Sequence, residues 1–343
     1  MEKNAINKRK SEHIEICLQE DVKGKQISTG LEKYKFIHCA LPELDFKDVS
    51  LSTIFLNHEL NAPFMISSMT GGTEIAGKIN KNLATVAQEK GWAMGLGSTR
   101  AALESEAYAH TFQLRKYAPT IPIFANLGAV QLNAGYDLDA CKRIISLTEA
   151  DGLIFHLNGI QEIMQTDGDT NFKGLIQKIG QIAQQLDVPI GVKEVGWGID
   201  GTLAKALFDV GVAFVDVAGA GGTSWSQVEK FRSDQIVKRL AAEAFTDWGI
   251  PTAECLVTAR QKNRNELLIA SGGIQTGVDA AKAIALGANL VGFGRSILHA
   301  ATESVEALRT TFEKIELEMR MVMFGIGVSS IVELANTDRL QLK

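Results

Sequence analysis

An alternation constrains this chain more than any other feature. Short apolar runs of β-like composition occur eight times, at 63–69, 92–98, 121–128, 152–158, 189–195, 213–219, 267–273 and 289–295. The stretches between them, such as KNLATVAQEKG and DAAKAIALGA, repeat apolar residues at three and four and use good helix formers. Right-handed βαβ crossovers build parallel sheet from such an alternation, and eight strands can close it. The pattern predicts a (β/α)8 barrel, of the TIM type, over 62–300, with an open doubly wound sheet as the alternative. Residues 1–61 then form an N-terminal extension and 301–343 a C-terminal helical extension of the same single domain. The stripe Val305, Leu308, Phe312, Ile315 and Met319 in the latter would support an interface or pack on its own barrel. A chain of 343 residues, 45% hydrophobic, has enough apolar material for a large core.

In such a barrel the active site lies at the C-terminal ends of the strands. The fourth run ends in a change of character: GLIFHLNGIQE at 152–162 passes from apolar residues to His156, Asn158, Gln161 and Glu162. Six other strand ends, SSMTGG, GLGSTR, FANLG, VKEV, VAGAGGTSW and SGGIQ, are also polar or glycine-rich. Polarity gathered at one end implies a shared cavity.

The last two units carry the sharpest local signal, SGGIQTGVDAAKAIALGANLVGFGRSI. Glycines after the seventh strand let backbone N–H groups approach a phosphate, the following helix adds its positive end, and GFGR adds amides and Arg295. The alternative is that these glycines only make tight turns. Lys193 ends the fifth strand, either as a solvated lysine or as an ammonium stabilising negative charge on a reduced flavin.

A formal charge of -5 and a pI near 5.8 argue against bulk attraction to nucleic acid or an anionic membrane. The opening MEKNAINKRK lacks the apolar core of a signal peptide. Nowhere do about 18 uncharged apolar residues run together, so a cytoplasmic protein is expected. Cys17, Cys39, Cys141 and Cys255 show neither metal-ligand nor redox spacing and read as reduced thiols.

Seven motifs in order, RKSEHI (9–14), SSMTGG (67–72), MGLGSTR (94–100), FHLNGIQE (155–162), VKEVGWGI (192–199), DVAGAGGTSW (216–225) and SGGIQTGVDAAKAIALGA (271–288), give the chain a family resemblance. It resembles the type 2 isopentenyl-diphosphate isomerases over essentially its whole length, MFGIGVSSIVEL at 323–334 included. The resemblance implies a cytosolic FMN-dependent barrel that interconverts isopentenyl and dimethylallyl diphosphate, needs reduced flavin and Mg²⁺, and draws reducing equivalents from NADPH. It also implies a homotetramer or homo-octamer.

Carried over by motif, Ser68, Met69, Thr70, Ser98, Asn126, Lys193 and Thr223 would surround the flavin, and Gly273, Ile274, Gln275, Gly294 and Arg295 its phosphate tail. Arg9, Lys10, His13, Ser98, Thr99, Arg100 and Asn158 would bind the diphosphate substrate, with residues 1–61 acting as a lid. Arg9 and Lys10 taken alone read as a solvated charge run. Glu162 would ligate Mg²⁺, Gln161 would orient the substrate, and His156 would serve the diphosphate, a proton network or a structural bond. Two positions depart from the family pattern: Gln275 stands where a basic residue is frequent, and Gly294 where Ala is common. An FMN-dependent 2-hydroxy-acid oxidase is the nearest enzyme alternative. Its sixth strand would end in His-Gly-Gly-Arg, whereas AGGT here puts Ala220 and Thr223 at the chemical positions. A non-catalytic flavin-binding barrel is the other alternative.

Overall fold

The computed structural model describes residues 2–343, with side chains from Arg9 onward except that of Glu106. All eight predicted strands form, labelled here in barrel order as β1 (Phe64–Ile66), β2 (Ala93–Gly95), β3 (Ile123–Gly128), β4 (Gly152–Leu157), β5 (Ile190–Glu194), β6 (Phe214–Asp216), β7 (Leu267–Ala270) and β8 (Leu290–Phe293). They close into one parallel barrel in which β8 pairs with β1. The doubly wound alternative is thereby excluded.

Side chains alternate across each strand. Met65, Phe124, Ile154, Phe214 and Ile269 fill the barrel interior, while Leu153, Phe155, Val192 and Val215 pack outward on the helices. His156 therefore stands above Ile154 on the inner face. The lower end of the barrel is plugged by a hairpin of Thr53–Phe55 and His58–Leu60, whose Phe55 meets the rings of Phe124 and Phe214 edge-on at 6.3 and 5.5 Å. Its two turn residues, Leu56 and Asn57, take the positive φ angles of 48° and 66° that tight hairpins need.

Five helices matter for the site: α1 (Glu2–Gln19), α2 (Gly159–Met164), α3 (Trp225–Arg232), α4 (Arg295–Glu303) and α5 (Val305–Ile326). The C-terminal stripe packs on its own barrel: Leu308, Phe312, Ile315 and Met319 are buried, with Val305 partly so. Trp92 stacks on Phe312 at 3.8 Å and donates to Glu316 Oε1 at 2.8 Å, pinning α5 beside β2. The last strand, Leu340–Leu342, pairs antiparallel with Tyr34–Phe36, so the two extensions are joined. The four cysteines are unpaired. Among the described residues no helix is long and apolar enough to cross a membrane.

Candidate active site

A cavity of about 650 Å³ opens at the C-terminal ends of the strands, within the size range of small-molecule sites. Residues expected from six separate motifs converge on its wall: Arg9, Lys10 and His13; Ser68, Met69 and Thr70; Ser98; Asn126; His156, Asn158 and Gln161; Lys193. Thr223, Gly273, Ile274, Gln275, Gly294 and Arg295 line it as well. Thr99, Arg100 and Glu162 stand behind this wall. The Thr99 hydroxyl donates to the Asn126 carbonyl at 2.6 Å, which clips the β2 end to β3. Arg100 is held by Glu104 at 2.6 Å and Asp169 at 3.1 Å.

The N-terminal helix covers one side of the cavity. Arg9, Lys10, His13, Ile14 and Cys17 follow the three-and-four spacing of one helix face, and that face lines the cavity. Arg9 donates to Gln165 Oε1 at 2.7 Å. Lys10 donates to the Ser98 carbonyl at 3.1 Å and lies over the Phe112 ring at 5.2 Å. Burial, reinforced by Arg9, lowers the Lys10 ammonium from its ordinary range to about 7. Burial also lowers Arg9, although Glu162 and Glu229 oppose it. Further along, Lys23 forms a β-bridge with Thr223 and joins the wall, a contribution unforeseen from sequence.

Two hydrogen-bonded networks order the polar wall. Asn126 donates from Nδ2 to Ser68 Oγ at 3.0 Å, so its Oδ1 must accept the proton on His156 Nδ1 at 2.7 Å. Burial, with Lys193, Arg9 and Lys10 nearby, pushes His156 down to about 3. The imidazole is therefore neutral at neutral pH, with Nε2 unprotonated. The second network centres on Glu229 of α3, another residue that sequence reasoning missed. Its Oε1 accepts from Gln161 Nε2 at 3.0 Å and meets His13 Nε2 at 3.0 Å, and its Oε2 binds Arg232 at 2.5 Å. Burial raises Glu229, but these partners outweigh it and hold the carboxyl below its usual range.

The β7 and β8 ends fit a phosphate-bearing cofactor. Ser67 Oγ and Arg295 Nη1 are buried on the cavity wall with no hydrogen-bond partner. Buried donors in that condition are costly, and an anion would satisfy both. Backbones here touch: a Cβ on Gly222 would lie 2.5 Å from the Gly273 nitrogen, and one on Gly272 2.0 Å from the Gly219 carbonyl oxygen. Helix α4 begins at Arg295, and the first-turn N–H groups of a helix have no partner within it. A methyl at Gly294 would meet only Ser67 Cβ, at 3.9 Å, so this departure from Ala opens little space. Gln275 is exposed at the rim.

Side-chain oxygens of Glu162 and Asn158 stand together beside this wall. Glu162 accepts from Asn158 Nδ2 at 2.7 Å and from the Asp169 amide at 2.8 Å, while Asn158 Oδ1 is buried without a partner. Among the described residues no three His, Cys, Asp or Glu gather as a ready-made metal cage. One carboxylate plus phosphate oxygens is the usual arrangement for Mg²⁺.

Fold and phosphate cradle define the class. The family model described as FMN-dependent dehydrogenase matches residues 147–341, placing the chain among the FMN-dependent barrels. Similar folds occur in a Pediococcus acidilactici protein described as a lactate oxidase (TM-score 0.70, 17% identity, 99% of this chain and 94% of that one). They occur also in the flavin-binding domain of baker's yeast flavocytochrome b2 (TM-score 0.69, 18% identity, 94% and 79%). At those identities the likeness concerns the fold alone. Whole-chain relatives are closer: isopentenyl-diphosphate delta-isomerase of Oceanobacillus iheyensis is 55% identical, covering 100% of this chain and 98% of its own. The proteins of that name from a Nostoc species and Vibrio parahaemolyticus are 50% and 46% identical, each covering 97% of this chain, with 95% and 98% of their own lengths matched. The chain belongs to the isopentenyl-diphosphate delta-isomerase family.

Proposed function

We propose that this protein interconverts isopentenyl diphosphate and dimethylallyl diphosphate in the cytoplasm, with reduced FMN in the barrel mouth and Mg²⁺ on the diphosphate. The docking of Arg9, Lys10 and His13 on the cofactor cavity carries this reading. A barrel that merely held FMN has no need of a second set of cations beyond those at the phosphate cradle. Arg9, Lys10 and Ser98 would hold the diphosphate, joined by Arg100 once it leaves Asp169, and Glu162 would share Mg²⁺ with it. Gln161, fixed by Glu229, would orient the allylic carbons, and neutral His156 would present Nε2 as an acceptor. When bound and reduced, FMN supplies the proton-handling group that unactivated carbon requires. Double-bond migration moves one proton on and one off with no net redox change, so NADPH would serve only to charge the flavin.

The oxidase alternative is disfavoured because Ala220 is buried against Pro251 and carries no base, and Thr223 cannot bind a carboxylate as arginine does. Assembly as a homotetramer or homo-octamer is supported by the exposed apolar residues Ile236, Val237 and Leu240. The test is anaerobic conversion of isopentenyl diphosphate with reduced FMN and Mg²⁺. Catalytic formation of dimethylallyl diphosphate, with far less NADPH consumed than product made, is expected. No product, or one nicotinamide oxidised per product, would overturn the proposal.

A further inference from the structure

Lys193 lines the cavity, and beside it stands a buried acid to which the reaction above gives no role. Lys193 on β5 and Asp216 on β6 are register partners. Both occupy inward positions, since they follow Gly191 and Phe214 at a spacing of two and Phe214 belongs to the interior cluster. Their residues are 6% and 3% exposed. Opposite charges at adjacent inward positions, shielded from water, interact far more strongly than at the surface.

Asp216 is fixed from its other side. Ser271 Oγ, at the end of β7, donates to Asp216 Oδ1 at 2.7 Å, and the Ala218 amide donates to the same oxygen at 3.2 Å. Neither donor commits the second oxygen. Ala218 has φ of 39°, an unfavourable value for a residue with a side chain, so the bend that supplies this amide is held at a cost. The other acid beside Lys193, Glu194, is occupied: its Oε2 accepts from the amides of Gly196, Trp197 and Gly198. From β4 the facing group is His156, which is neutral. Lys193 Nζ itself donates to the Glu194 backbone carbonyl at 2.5 Å, and of the two acids that favour its charge Asp216 is the larger support, Glu194 the smaller.

We infer that Asp216 is a positioning residue whose carboxylate holds the Lys193 ammonium charged beneath the flavin and so sets how readily bound FMN accepts electrons. This rests on the FMN reading above. An ammonium favours the reduced, more negative cofactor, and a neutral amine does not. Burial depresses Lys193 and Asp216 opposes that depression; burial likewise raises Asp216 and Lys193 opposes it. Without Asp216 the buried lysine loses its main support.

The test is the midpoint potential of the FMN-loaded protein between about pH 6 and about pH 9, where a destabilised lysine titrates. Lys193→Gln sets the scale and is expected to lower the potential throughout, by at least a tenfold equilibrium change or about 30 mV for a two-electron couple. Asp216→Asn is expected to match or exceed wild type at the acid end and to fall toward the Lys193→Gln value at the alkaline end. Asp216→Glu should restore the wild-type profile. The double variant should equal or exceed Lys193→Gln alone, with no added pH dependence. An Asp216→Asn curve parallel to wild type, or a double variant well below Lys193→Gln, overturns the inference. If Asp216→Asn does not fold, Ser271→Ala decides: it keeps both charges, a smaller break in the same direction is expected, and an unchanged curve overturns the idea. Wild-type protein that takes up no FMN defeats the functional reading and this inference together. That result is distinct from a loaded enzyme whose potential ignores Asp216.

Discussion

Gln161 donates to Glu229 Oε1 at 3.0 Å, the same oxygen that His13 meets from the N-terminal helix. One buried carboxylate thus orders the polar end of β4 and the segment that covers it. Arg232 extends the tie, binding Glu229 Oε2 and Glu12. Replacing Glu229 by Gln keeps the shape but removes the charge that fixes both partners. Turnover is expected to fall roughly 100-fold, in line with the cost of misplacing a substrate-orienting group, while FMN occupancy stays at wild type. Steady-state kinetics with flavin content measured on the same samples checks this; unchanged kcat would deny Glu229 that role.

Glu162→Gln tests the metal assignment. The amide keeps the bond to Asn158 within reach but withdraws a negative oxygen. Activity should then require about tenfold or more Mg²⁺, or be lost, with FMN binding unaffected, since a hard cation depends on anionic oxygen. A metal titration against activity is the measurement, and an unaltered Mg²⁺ response would reject the assignment.

The barrel was legible because its eight apolar runs and their polar ends follow one rule each, the strand period and the common direction of parallel strands. Glu229 was not. In WSQVEKFR a lone acid beside Lys230 and Arg232 looks like part of a solvated helix face. Its burial depends on α1 and α2 both packing on α3, contacts between segments far apart in sequence that local periodicity does not encode. Ser67 was hidden for a related reason, since only barrel closure puts it beside Gly292 and Ser271. Thr99 and Arg100 lay within a motif whose spacing is plain, yet a neighbouring carbonyl and two carboxylates hold their polar groups.

Lys10 gives the site a pH dependence. Burial lowers it from an ordinary 10.5 to about 7, so between those values the folded protein binds fewer protons than the unfolded chain and stability rises with pH. A bound diphosphate reverses the preference by favouring the ammonium. Above neutral pH, substrate binding should therefore take up a proton, and KM should rise by up to about tenfold per pH unit. Calorimetry at about pH 8 in two buffers of different ionisation enthalpy measures the uptake. Lys10→Met should abolish it; equal uptake in the variant would move the titrating group elsewhere.

The N-terminal helix should act as a lid over the diphosphate. Arg9 and Lys10 are half-buried, yet their hydrogen bonds go to an uncharged amide oxygen and a backbone carbonyl. A cation so placed is poorly compensated, and an anion brought between the two would improve both bonds while water is expelled from the reacting face. Coupling of that kind makes substrate binding assemble the site. Arg9→Ala with Lys10→Ala should leave an FMN-loaded barrel, because neither residue belongs to the β7 and β8 cradle. Hydrogen bonds to charged groups contribute about 1.5–3 kcal/mol each, so KM should rise about a hundredfold, with a smaller fall in kcat. The salt dependence of KM should weaken in parallel, since fewer charges then meet the diphosphate. Isomerase kinetics at low and high ionic strength, with FMN occupancy verified, is the decisive measurement, and wild-type values in the double variant would show that this helix does not close on substrate.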